Sequence, residues 1–204
     1  MKYKSVIIIL AFMLIMTNNI KAIEIDSSSI NSDEKKFVPL SEFFYADNQR
    51  HTISGGTPLK NSDLKLVPTL LFAGAYTAIF VAQHIGQTQT IWKEMGDFKF
   101  LEDIDQDLWV DKCGHVYGGY LTSYVFGETL MEVGLSWEAA TVWGGALGLA
   151  YTSYVEVLDG FGVNWGFSPS DFYCDVAGSL FYVGQYYIPY LQNFTPQFTY
   201  FPAE

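Results

Sequence analysis

Three short stretches in the second half of the chain hold side chains able to do acid–base or ligand chemistry. Asp111-Lys112-Cys113-Gly114-His115 places Asp111 and His115 one helical turn apart, on one face. Glu156-Val157-Leu158-Asp159 offers two carboxylates three residues apart, again on one helical face. Asp171 and Asp175 repeat the one-turn spacing after Ser168-Pro169-Ser170. Three helices that each present such a pair are the means by which a bundle builds an interior polar site. All eleven Lys and Arg lie between Lys2 and Lys112, whereas Glu128, Glu132, Glu138, Glu156, Asp159, Asp171, Asp175 and Glu204 all follow. A buried carboxylate in that half has only Lys112, His115, a cation, a proton or another polar group to meet it.

The set admits two chemistries. In the first, Asp111, Lys112, His115, Glu156, Asp159, Asp171 and Asp175 form a buried hydrogen-bonded and ionic network that fixes helix register, in a structural or binding role. In the second, His115, Glu156, Asp159, Asp171 and Asp175 gather a divalent cation. One imidazole with several carboxylates suits Mg²⁺, Mn²⁺ or Ca²⁺ better than a structural zinc. His115, Glu156 and Asp175 are then the candidate catalytic residues of a hydrolase or transferase acting on an envelope lipid or phosphoryl substrate. The metal would activate water or polarise a phosphoryl oxygen, with His115 as acid or base.

Each residue also has a plainer reading. Ser168 suits an N-cap, Pro169 the first helical position and Asp171 a capping box. Asp159-Gly160 can end a helix, with Gly160 left-handed, and Asp111 can complement a helix dipole. His115 can be a core histidine with a single hydrogen-bond partner. Glu156 and Asp175 resist such readings best, because both fall inside apolar helices with no Lys or Arg nearby.

The elements that must position these residues are long and apolar. After the tail come Leu66–Ile85, Leu108 to about Val133, Trp137–Leu158 and Asp171–Leu191, each near the ~20 residues of a bilayer span. The alternation of a half-buried strand is absent from them. Gly114 and Gly118, Gly144 and Gly148, and Ala177 and Gly178 supply small residues for close helix contact. The expected fold is all-α, a compact bundle of about four membrane-type helices over residues 66–192. Residues 1–22 read as a signal peptide, with Lys2 and Lys4 before the apolar run Val6–Met16 and Ala22 at the cleavage site. A polar, mostly irregular tail fills residues 23–65 and a C-terminal tail fills 193–204.

The chain is therefore expected to be exported and held in the cell envelope, associated with a membrane on its periplasmic side, with lipid or another envelope component as partner. With no cysteine near the signal, it is not expected to be an N-terminal lipoprotein. Cys113 and Cys174 are expected to be free thiols, Cys113 pointing away from the polar site. A net charge of −11 argues against nucleic acid. No Gly-rich phosphate loop or Gly-x-Ser-x-Gly turn occurs, which argues against nucleotide and nucleophile-elbow chemistry.

Asp111-Lys112-x-x-His115, Glu156-x-x-Asp159 and Ser168-x-x-Asp171-x-x-x-Asp175-x-x-Gly178, in that order, resemble the YfiM-like predicted periplasmic lipoproteins, a family of unknown function. The likeness covers about residues 107–190 and extends more distantly to VanZ-like membrane proteins. It implies an exported helical protein and supplies no reaction. The chain departs from the family in lacking the lipid-bearing cysteine, and in having Val155 where a Lys is expected before the Glu.

Overall fold

The computed structural model describes residues 51–105 and 109–199; the expected signal peptide, most of the expected polar tail and the chain end fall outside the described residues. The first helix, α1 (Leu66–Gln89), starts without a side-chain cap and carries no charged residue. Tyr76, Phe80 and His84, spaced four apart, form the stripe that meets the other helices. The Tyr76 ring stacks on Phe126 at 4.8 Å and the Phe80 ring on Tyr151 at 5.1 Å, while Tyr154 and His84 hydrogen-bond at 2.6 Å. No α1 residue is buried, and Leu66, Val67, Leu70, Leu71, Ile79 and Ile85 are exposed.

The connection after α1 folds back over the far end of the bundle. Trp92 is buried there, and residues 94–101 run beside residues 160–167 through Gly96 N–H to Phe161 O at 2.7 Å and Leu101 N–H to Phe167 O at 2.9 Å. Helix α2 (Val110–Glu132) follows Trp109, which has a left-handed φ of 66°. A tight corner at Gly134 (φ 103°) leads into α3 (Trp137–Phe161), capped by the Ser136 side chain. A Cβ at Gly134 would lie 1.9 Å from the Asp63 carbonyl, so this corner requires glycine on both conformational and steric grounds. Met131, Val133, Leu135, Trp137 and Ala140 form an apolar cluster there. Helix α4 (Pro169–Tyr187) begins as its sequence indicates, with Ser168 accepting from Asp171 N–H at 3.3 Å and Pro169 in the first position. A 3₁₀ turn, Pro189–Asn193, ends the helical region. The fold is all-α, with only isolated bridges such as Leu59 to Ser136 among the described residues.

Three expectations change. Helix α3 runs past Asp159-Gly160 to Phe161; Gly160 keeps a helical conformation, and the Phe98 ring packs where its side chain would be. Gly114 and Gly118 do not mediate close packing, since nothing lies within 4 Å of a Cβ at either. Their neighbour Gly119 does so instead: α2 and α4 touch where Gly119 meets the Asp175 backbone and Gly178 meets Val116 and Tyr120. Gly144 and Gly148 on α3 do meet α2, at Gly127 and Ser123. Finally, α1 alone among the described residues is long and apolar enough to cross a membrane. Helices α2–α4 fall short because their interior positions are so often polar. Buried polar side chains outnumber buried apolar ones among the described residues, whereas Leu121, Val125, Val142, Val157, Tyr173 and Leu180 face outward.

Candidate functional site

The contact of Gly119 with Asp175 sets the geometry of the site. It brings the first turns of α2 and α4 close enough for Lys112 to reach Asp171 and for His115 to reach Asp175. Helix α3 completes the cluster with Glu156. The His115 ring stands at the centre, with acids on both sides. Its Nδ1 lies 3.2 Å from Asp175 Oδ1 and 3.7 Å from Glu156 Oε1. Its Nε2 lies 3.7 Å from both Asp111 Oδ1 and Asp171 Oδ1. The plain reading of His115 as a core histidine with one partner is thereby replaced by four carboxylate neighbours.

The two sides of the ring differ in charge balance. On the Nε2 side, the buried Lys112 ammonium donates to Asp171 Oδ1 at 2.5 Å, to Asp111 Oδ2 at 3.0 Å and to Asp103. On the Nδ1 side, Glu156 and Asp175 are 3% and 1% exposed, and Asp175 Oδ2 has no hydrogen-bond partner among the described residues. A buried carboxylate oxygen without a donor is costly and calls for a cation, a proton or water. This side opens onto a groove of about 990 Å³, bounded by Gly114, Gly118 and Thr122 on α2 and by Tyr151, Thr152 and Val155 on α3. The two glycines that fail to pack helices together therefore leave the groove open.

Of the residues expected at the site, Asp111, Lys112, His115, Glu156, Asp171 and Asp175 converge. Asp159 does not join them. Its Oδ1 accepts from Trp92 Nε1 at 2.6 Å, because the connection after α1 brings that indole over the end of α3. Two triads have ligand-type atoms within 4.8 Å of one another, Asp111–His115–Asp171 and His115–Glu156–Asp175; Asp159 is in neither. Cys113 is exposed and Cys174 half-buried, and both are free thiols.

Four contributors escape a reading of helical spacing. Asp103, in the acidic connection before α2, takes hydrogen bonds from Lys112 and from Ser168 Oγ at 2.8 Å. Glu102 accepts from Ser170 Oγ at 2.6 Å, and Ser168 and Ser170 bond each other at 3.0 Å. Partial burial pushes the Asp103 carboxyl up, but the Lys112 and Ser168 hydrogen bonds outweigh it and hold the group below its ordinary range. The Ser170 hydroxyl likewise holds Glu102 below the usual carboxylate range. Ser170 is the third, and Trp92, which holds Asp159, the fourth. The one available signal is charge: Lys112 is the last cation of the chain before a long acidic half, and Asp103 is nine residues away.

Residues 98–186, a little under half of the chain, match the model of a family described as predicted periplasmic lipoprotein, DUF2279. The matched stretch contains every converging residue named above. The description as periplasmic agrees with export. No curated protein and no solved structure matches the chain.

Proposed function

We propose that this chain is an exported cell-envelope protein whose helical bundle is embedded in a membrane, with its interior polar network holding the helices in register and forming the floor of a binding groove. The observation that carries this reading is the reversal of polarity across the bundle. Lys112, Glu128, Glu156, Asp171 and Asp175 are buried, while large apolar side chains on all four helices are exposed. In water, such an outer surface is a liability that soluble monomers avoid. In lipid it is the expected arrangement, with ionisable groups turned into the bundle and paired there.

Lengths support the same reading. At ~1.5 Å per residue α1 extends about 36 Å, against a hydrocarbon core of about 30 Å. The helices approach one another through small residues, at Gly119 and Gly178 and at Gly144 and Gly148, as membrane bundles do in the absence of a hydrophobic driving force between helices. The network then locks the helices against sliding. Lys112 is held by three carboxylates and His115 by four, so moving α4 along α2 would break both sets at once.

Fractionation of cells expressing the full chain tests the proposal. The protein should remain with membranes through osmotic shock and alkaline carbonate and dissolve only in detergent. Release by osmotic shock as a monodisperse species without detergent would contradict it.

A further inference from the structure

We propose that His115 Nδ1, Glu156 and Asp175 form a binding site for one first-row divalent cation, entered from the groove between α2 and α3. The site stands whether or not the bundle lies in lipid. Four observations lead to it. The first is the unequal charge balance around the ring: Lys112 serves the acids on the Nε2 side, and among the described residues no Lys or Arg reaches Glu156 or Asp175.

The second is Asp175 Oδ2, which lacks a partner although Asp175 is 1% exposed. A carboxylate so buried, with one oxygen on the imidazole and the other unpaired, is a costly arrangement that a bound cation would relieve.

The third is spacing. Donors held about 2.1 Å from a shared ion stand roughly 3.0–3.4 Å apart, and Nδ1 lies 3.2 Å from Asp175 Oδ1 and 3.7 Å from Glu156 Oε1. The third edge, between the Asp175 and Glu156 carboxylates, lies within 4.8 Å, so a cation seated among these atoms draws the Glu156 carboxylate inward. The fourth is access: the same three side chains line the open groove, which leaves positions for water or a ligand on the ion.

The rival triad, Asp111–His115–Asp171, satisfies the same distance condition. A metal there would stand beside the Lys112 ammonium, which already holds both of its carboxylates. That repulsion selects the Nδ1 side. One neutral imidazole with two carboxylates favours Mn²⁺ or Zn²⁺ over the all-oxygen preference of Mg²⁺ and Ca²⁺.

The test uses the full chain in detergent, stripped with chelator and titrated with Mn²⁺ followed by electron paramagnetic resonance, and with Zn²⁺ followed by elemental analysis. One ion per chain is expected. Asp175→Asn and Glu156→Gln should each weaken binding beyond the roughly 10–100-fold that loss of an outer-shell partner costs. Asp159→Asn, which alters a carboxylate outside the triad, should leave affinity within about threefold of wild type. If Asp175→Asn fails to fold, Glu156→Gln and the wild-type stoichiometry still decide the matter. Folded wild-type protein that takes up neither ion at millimolar concentration would overturn the site, as would unchanged affinity in the folded ligand variants. Displacement of Mn²⁺ by an equal concentration of Mg²⁺ would overturn the first-row assignment.

Discussion

Lys112 Nζ lies 2.5 Å from Asp171 Oδ1, and that same oxygen is 3.7 Å from His115 Nε2. One carboxylate thus joins the lysine of the second helix to the ring at the centre of the cluster. Lys112 holds together the entry segment through Asp103, its own helix through Asp111 and the start of α4 through Asp171.

Replacing Lys112 by Met keeps most of the side-chain volume and removes the charge. Three carboxylates then lose their cation, at a cost of about 3–5 kcal/mol for breaking a buried pair from one side. Thermal unfolding of the detergent-solubilised protein should show this loss. Adding Asp171→Asn to Lys112→Met should recover part of it, because the orphaned charge is removed. Purely additive losses would mean that the two groups do not act as a pair.

The Asp103 carboxyl carries a pH dependence whose sign follows from its depressed value. A group held below its unfolded pKa stabilises the fold fully above that unfolded value, near 3.9, and loses the contribution as pH falls through the folded one. Asp103→Asn should therefore lower stability at pH 6 by about 1–3 kcal/mol. The difference from wild type should shrink steadily on acidification below about pH 4. A difference that persists unchanged at pH 2 would exclude a charge-based role.

Adjacent glycines should respond in opposite ways. A Cβ at Gly119 would lie 2.3 Å from the Asp175 carbonyl oxygen, so Gly119→Ala must push α2 and α4 apart and draw Asp175 away from His115. Gly118 has open space, and Gly118→Ala should be neutral or gain up to about 1 kcal/mol from helix propensity. Comparison of the two melting temperatures, with the His115 ring resonance as a local reporter, checks this. Equal losses at both sites would contradict the assigned contact.

That contrast also marks how far the sequence can be read. Long, largely apolar segments, with Ser168-Pro169 as a start signal for the last, make the four helices legible, and the one-turn spacings of Asp111 to His115 and Asp171 to Asp175 make those faces legible. The glycine stripe is not, because Gly118 and Gly119 differ by about 100° of helix rotation and spacing alone does not choose between them. Asp159 escapes for a related reason. It shares a broad face with Glu156, but its partner is Trp92 from a distant connection, and long-range folding of an irregular segment leaves no periodic signal. Asp103 is hidden in the same way, in a stretch that reads only as an acidic linker.

The Trp92 bond gives a further separation of roles. Trp92→Phe keeps an aromatic ring and removes the donor to Asp159 Oδ1, which should cost about 1–3 kcal/mol. The His115 resonances should move far less than in Asp175→Asn, since Asp159 is outside both triads and acts on the imidazole only through its charge, which Trp92→Phe leaves in place. A shift of the imidazole signals comparable to that in Asp175→Asn would place Asp159 back in the cluster.

The most direct test of a polar-inside, apolar-outside bundle is the solvent accessibility of its outer face in native membranes. Single cysteines at Val125 and Leu180, introduced into a Cys113→Ser/Cys174→Ser background, report on α2 and α4 positions that are exposed yet apolar. Ser54→Cys, in the exposed segment before α1, is the accessible reference. With a membrane-impermeant maleimide on sealed and on freeze-thawed vesicles, Val125→Cys and Leu180→Cys should stay unlabelled until detergent is added, while Ser54→Cys reacts once its side of the membrane is open. Labelling of all three at the same rate in intact membranes would contradict the account.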